Sequence, residues 1–379
     1  YRVSRDGKDF TTITKGDIDV VRINCIDPES GYVYYIASPE NFTQRYLYRS
    51  KLDGSSTPER VSPENQPGQH AYQISADAKY AIHTFQNTTT PPVISLINLQ
   101  SHKPLRVLKD NKKLADKVNA LNLNPKEFIH LDIGEVVLDS WMIKPTNFDK
   151  NRKYPLIFYV YGEPAGSTVQ DAWQGGDLWH QYLSEQGYIV VSIDNRGTRT
   201  PRGRDFRKSI YGQIGILAAK DQAAAAKVLF EKYEFIDTER IGMWGWSGGG
   251  QMTMNCLFRY PEIYGSGLAV SFVSDQRLYD NIYQERYMGL LGENEDNYIE
   301  GSPITHAHKL EGDLMIIHGT ADDNVHYQSF ERLVNELIKH NKMFDMLSYP
   351  MRSHRINERE NTSYHLRQSM MRYWNRVLK

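Results

Sequence analysis

Residues 241–250 read Ile241-Gly242-Met243-Trp244-Gly245-Trp246-Ser247-Gly248-Gly249-Gly250. A short apolar run of strand character enters a glycine-flanked serine, and the stretch Gly248–Phe258 continues as a helix. The pattern G-x-S-x-G gains meaning in this strand–turn–helix setting, where the serine sits at a tight corner with its hydroxyl exposed. Small residues at Gly245 and Gly249 let strand and helix approach closely. The corner aims the Gly248 amide at a developing oxyanion, and the helix N-terminus favours negative charge there. The stretch predicts a serine nucleophile, Ser247, with Gly248 as an oxyanion donor. A glycine-rich turn that only links strand to helix is the weaker reading.

Working outward, strand-like runs at Val136–Ile143, Pro155–Tyr161, Ile189–Ile193, Gly267–Val270, Leu314–Ile317 and Phe344–Tyr349 alternate with helical stretches from about Asn124 onward. The helices are expected at Leu178–Gln186, Ala218–Lys232, Ser329–His340 and Tyr364–Leu378. Alternation at this spacing means an α/β domain built on a mostly parallel sheet, whose active site sits at the carboxyl ends of its strands. A serine needs a base, and the base needs an orienting acid. In α/β-hydrolase order, acid and then histidine follow the serine. Leu314–Ile317 ends in His318-Gly319-Thr320-Ala321-Asp322-Asp323-Asn324-Val325-His326, and the next strand ends in Pro350-Met351-Arg352-Ser353-His354-Arg355. His354 is in the slot of the base. Spacing leaves Asp322 and Asp323 both open as the acid, and Asp323 reads as turn or helix N-cap chemistry. His318 and His365 read as packing or surface histidines.

Residues before about 115 carry only strand and turn signals. Asp17–Ile26, Tyr32–Ala37 and Arg45–Lys51 form one set; Ala71–Ser75, Tyr80–Phe85, Val93–Asn98 and Leu105–Leu108 form another. Aligning Tyr32 with Tyr80 and Leu47 with Ile94 places the sets 48 and 47 residues apart, the period of a β-propeller blade. Propellers close with about four to eight blades, and two are visible. A small antiparallel sheet packed on the second half is the alternative. The fold expected is thus an α/β-hydrolase catalytic domain at 121–379, preceded at 1–120 by the C-terminal part of a β-propeller. With no initial methionine, the chain reads as the back end of a longer protein, truncated at its N-terminus.

The 45 basic and 46 acidic residues leave a formal net charge of −1, which gives no electrostatic footprint for nucleic acid. The longest apolar runs are strand length, so no membrane span is expected. Cys25 and Cys256 cannot make a disulfide framework, and neither has a metal-ligand partner in sequence. Cys256 reads as buried packing.

At these motifs the chain resembles the prolyl oligopeptidase family of serine peptidases, and within it the dipeptidyl peptidase IV branch. Gly245–Gly250 is similar to that branch's nucleophile elbow. His318–His326 is similar to its acid loop, in which the first aspartate is the triad member, and this implies Asp322. Tyr279-Asp280-Asn281-Ile282-Tyr283-Gln284-Glu285-Arg286-Tyr287-Met288-Gly289 resembles the segment that supplies the proline pocket. The resemblance further implies that Tyr161, in Val160-Tyr161-Gly162, joins Gly248 in the oxyanion hole. It also implies that Tyr279 and Tyr283 wall the pocket, with Val273 and Val325 adding apolar surface, and that Asn324 binds a substrate carbonyl. Without it, Tyr279 and Tyr283 read as an ordinary helix face and Asn324 as a turn residue.

The activity so implied is release of N-terminal dipeptides from peptides with Pro or Ala at the second position, through Ser247, Asp322 and His354, without a metal or organic cofactor. An endopeptidase or acyl-peptide hydrolase on the same frame is the near alternative, and a non-catalytic binding relative the distant one. The resemblance also suggests a periplasmic or exported protein, and leaves open a homodimer through the last helix and its neighbouring strand. Three departures stand out. Arg355 replaces the glycine usual after the catalytic histidine, which would strain the loop if that position needs φ > 0. The chain has no Glu-Glu pair to hold a substrate amine. Two blades cannot gate a site by size.

Overall fold

The computed structural model describes residues 1–16 and 19–379; Asp17 and Ile18, where the first expected strand begins, lie outside them. The strands are β1 (Arg2–Val3), β2 (Phe10–Thr11), β3 (Arg22–Asp27), β4 (Tyr32–Ala37), β5 (Tyr46–Lys51), β6 (Glu59–Arg60), β7 (Gln69–Ile74), β8 (Tyr80–Gln86), β9 (Val93–Asn98), β10 (Pro104–Lys109), β11 (Lys126–Asp132), β12 (Val137–Ile143), β13 (Tyr154–Tyr159), β14 (Ile189–Asp194), β15 (Ile236–Trp246), β16 (Ser266–Val270), β17 (Asp313–Gly319) and β18 (Asp345–Tyr349). The α-helices are α1 (Lys112–Asn119), α2 (Leu178–Glu185), α3 (Arg204–Lys208), α4 (Leu217–Lys232), α5 (Gly248–Arg259), α6 (Asn281–Met288), α7 (Leu291–Glu300), α8 (Gln328–Lys339) and α9 (Thr362–Val377). Two compact units result: one of residues 1–123 with 170–179 and 200–206, the other of 124–169, 180–199 and 207–379.

In the first unit, β3-β4-β5-β6 and β7-β8-β9-β10 form two four-stranded antiparallel sheets. Corresponding strands begin at 22, 32 and 46 and again at 69, 80 and 93, the blade period expected. Tyr34, Ile36, Leu47, Tyr72, Ala81, Ile97 and Leu99 share one core cluster, and the Asn24 amide donates to Tyr72 O at 2.8 Å. These are the two blades of a partial β-propeller. The expectation of strands alone to about 115 fails at α1, a helix whose apolar residues Leu114, Ala115 and Val118 share one face although none of them is buried.

The second unit is built on one eight-stranded sheet in the order β11-β12-β14-β13-β15-β16-β17-β18. Its first two pairings are antiparallel and the rest parallel. The central strands Leu156–Phe158, Ile189–Val191, Ile241–Trp244, Leu268–Val270 and Leu314–Ile317 are buried throughout, as parallel strands covered on both faces must be. Helix α5 packs on β15 and β16. Cys256, within α5, is fully buried. No helix among the described residues is long and apolar enough to cross a membrane. This is an α/β-hydrolase domain, and its fifth, seventh and eighth strands in chain order lead to Ser247, Asp322 and His354.

Candidate active site

Ser247 joins β15 to α5 at φ 60° and ψ −123°, a region that residues with a Cβ seldom occupy. Backbone bonds hold it there: the Ser247 amide donates to Val270 O at 2.9 Å, and the Gly250 and Gln251 amides donate to Ser247 O at 2.9 and 3.1 Å. The flanking glycines are required by space. A Cβ on Gly245 would lie 2.3 Å from the Gly249 backbone, and one on Gly249 would lie 2.2 Å from Val160 O and 3.3 Å from Tyr161 Cα. This close approach brings Tyr161 beside the elbow. Strand β13 ends at Tyr159, two residues earlier than expected, so Tyr161 belongs to the loop after it. Burial pushes the Tyr161 hydroxyl well up, with Glu163 adding to the effect. It remains a neutral hydrogen-bond donor.

Asp322 follows β17. Its Oδ2 lies 2.8 Å from His354 Nδ1 and 3.2 Å from His318 Nε2, while Oδ1 accepts the amides of Asn324 and Val325 at 3.0 and 2.9 Å. Burial alone would push this carboxyl up. The His318 and His354 hydrogen bonds, the charge of His354 and the Val325 amide outweigh it and hold Asp322 well below the usual carboxylate range. Asp323 is exposed and lies in a turn, as one half of its reading expected; the N-cap half is corrected, since α8 begins at Gln328 with Tyr327 in the capping position. The helix starts later because the intervening residues are spent on the turn that wraps Asp322.

His354 follows β18, and Trp246, the residue before Ser247, ties it to the elbow: Trp246 Nε1 donates to His354 O at 2.9 Å. The loop is also pinned to the end of β17. Ala321 N donates to Arg352 O at 3.1 Å, and a Cβ on Gly319 would lie 2.2 Å from the same oxygen. No hydrogen bond joins Ser247 Oγ to His354 among the described residues; such bonds commonly tighten when substrate arrives. The strain considered for Arg355 is absent. Positive φ falls on the next residue, Ile356, at 43°, so an arginine after the histidine is accommodated.

On the pocket side, Asp280 caps α6 through the Tyr283 amide at 2.8 Å. The Tyr279 and Tyr283 rings meet edge to face at 5.5 Å, and the Tyr279 hydroxyl donates to Asn324 Oδ1 at 3.2 Å. Val273 and Val325 are both buried. Sequence reasoning missed Glu163 in this unit, and read His318 as packing or surface without its contact to Asp322. His318 is fully buried under the acid loop, with Nε2 2.9 Å from Val325 O. Glu163 is 4% exposed, and its Oε2 accepts the Tyr283 hydroxyl at 2.5 Å. A carboxylate two residues after Tyr161 was the available signal for Glu163.

Comparison with known proteins follows this geometry. The model of the prolyl oligopeptidase family matches residues 177–379, and that of the dipeptidyl peptidase IV N-terminal region matches residues 1–92. A "Probable dipeptidyl-aminopeptidase B" of Aspergillus terreus is 33% identical over 94% of this chain and 39% of its own. Dipeptidyl peptidase 4 of Trichophyton equinum is 34% identical over 92% of this chain and 45% of its own. The crystal structure of Porphyromonas gingivalis dipeptidyl peptidase 4 matches with a TM-score of 0.93 and 34% identity, over 99% of this chain and 52% of that one. The chain therefore spans about half, or less, of the length of these relatives.

Proposed function

The chain belongs to the prolyl oligopeptidase family, and from that membership we propose that it carries the catalytic half of a serine exopeptidase releasing N-terminal dipeptides after a penultimate Pro or Ala. The observation that carries the reading is the 2.8 Å contact of His354 Nδ1 with Asp322 Oδ2, on a loop bonded to the elbow of Ser247. Ser247 Oγ attacks the carbonyl of the second residue while His354 Nε2 takes its proton. The tetrahedral oxyanion is held by the Gly248 amide and the Tyr161 hydroxyl. As the C–N bond breaks, His354 returns the proton to the leaving amine, and water then releases the acyl group by the same path. Asp322 stays ionised throughout and orients the imidazole. Tyr279 and Tyr283 offer flat walls to a pyrrolidine ring, and Asn324 binds the adjacent carbonyl.

A fluorophosphonate probe tests the nucleophile: the parent should label and Ser247→Ala should not, with matching circular dichroism. Peptides with free and blocked amines then test the exopeptidase reading, since cleavage of the blocked peptide would instead favour an endopeptidase or acyl-peptide hydrolase. A homodimer through α9 and β18 belongs to the same proposal. Its support is the exposure of Met346 in β18, the edge strand of the sheet, and of Tyr364 in α9, at 58% and 66%. Sedimentation that gives a monomer at all concentrations would reject it.

A further inference from the structure

Glu163 is a buried carboxyl for which the mechanism above has no role. A Cβ built on Gly248 would lie 2.6 Å from Glu163 Cδ and 3.0 Å from Oε1, so the carboxyl stands against the residue whose amide serves the oxyanion. Its Oε2 accepts the Tyr283 hydroxyl at 2.5 Å. The groups facing it are tyrosines: Tyr161 from the loop after β13, and Tyr279 and Tyr283 at the start of α6. Tyr287, one turn further along α6, stacks edge to face on Tyr283 at 5.0 Å. No basic side chain pairs with Glu163 among the described residues.

We infer that Glu163 is a positioning residue with a charge-dependent effect: protonated, it holds Tyr283 on the pocket wall and leaves the oxyanion donors unopposed; ionised, it sets a negative charge against the oxyanion and slows acylation. This rests on the reading of Ser247 as nucleophile. Burial pushes the Glu163 carboxyl up to about 7, against a smaller downward pull from the Tyr283 hydrogen bond. The charge therefore appears near neutral pH. Like charges a few ångströms apart in a partly dry site slow the step on the order of tenfold to a hundredfold.

The rate of fluorophosphonate labelling, followed from about pH 5 to about pH 9, reads this directly. Labelling of the parent should fall at least roughly tenfold from the neutral to the alkaline side. Glu163→Gln keeps an acceptor for Tyr283 and cannot ionise, so its rate should stay high there. Tyr283→Phe removes the hydrogen bond that lowers Glu163, so the alkaline fall should move to higher pH; it carries the test if Glu163→Gln does not fold. Superimposable profiles for the labelled parent and variants would overturn the role of Glu163 alone. No labelling of the parent at any pH would sink the nucleophile reading, and the inference with it.

Discussion

Ser247 pays for its exposure in backbone strain. Its φ of 60° with ψ −123° is costly for any residue with a Cβ, roughly 1–3 kcal/mol, and is sustained because both flanks are pinned by backbone hydrogen bonds. Glycine would relieve the strain while adding about 0.5–1 kcal/mol of unfolded-state freedom. Ser247→Gly should therefore be more stable than Ser247→Ala by about 1 kcal/mol, although neither can label. Chemical denaturation of the two variants measures the difference, and equal midpoints would mean that the elbow is relaxed. Of the site residues, Ser247, His354 and the Asp322/Asp323 choice were legible because strand ends, glycines and loop order are local signals. Glu163 was not, because what makes it notable is burial against Gly248 and Tyr283, far away in the chain.

At the scale of elements, the site depends on how closely β15, α5 and the loop after β13 approach. Gly249→Ala places a methyl 2.2 Å from the Val160 carbonyl oxygen, and backbone against backbone has no rotamer with which to yield. A loss of about 3 kcal/mol or more is expected, together with loss of labelling as Tyr161 is pushed from the elbow. Gly292→Ala in α7, with nothing within 4 Å and no positive φ, should instead stabilise by about 0.5–1 kcal/mol. Thermal melts of this pair separate a spatial requirement from a general intolerance of alanine. The elements that sequence reading missed share one property. Strand β11 buries only Leu131, α6 buries only Gln284 and Met288, and α7 buries only Tyr298. None buries a repeating apolar face; α6 repeats tyrosines four residues apart, at Tyr283 and Tyr287, but that face reads as an ordinary helix surface.

At the scale of the whole molecule, the two units should respond to acid in opposite directions. In the propeller unit, His70 Nδ1 and His83 Nε2 lie 2.9 Å apart, and His102 Nε2 lies 2.8 Å from the Tyr72 hydroxyl. Burial pushes all three histidines down, His70 to about 4 and His83 to about 3. Folded, they bind fewer protons than unfolded, so their contribution is fully present above about pH 6.5 and is lost as pH falls below it. In the hydrolase unit, burial pushes Glu163 up to about 7 and Asp194 up to about 6. There these two carboxyls bind more protons in the folded state and stabilise it from about pH 7 to about pH 5, against the opposing contribution of His306, which burial pushes down. Calorimetry across that interval should show the propeller transition falling by several degrees while the hydrolase transition holds or rises. His83→Gln should flatten the falling one. Parallel descent of both would show that these buried groups do not govern acid stability.

The sequence by itself determined the α/β-hydrolase frame, the blade period and the loops that carry serine, acid and histidine. Each of these is written in short-range chemistry: glycines where a Cβ cannot fit, apolar runs where both faces are covered, and turns at strand ends. Packing in three dimensions makes Asp322, which the resemblance implied and spacing left level with Asp323, the aspartate that meets His354, leaves Arg355 unstrained because Ile356 takes the positive φ, and buries Glu163 against the elbow. Those outcomes depend on which distant atoms a side chain or a carbonyl finally meets, and such meetings are made by the packed sheet, not by neighbours along the chain.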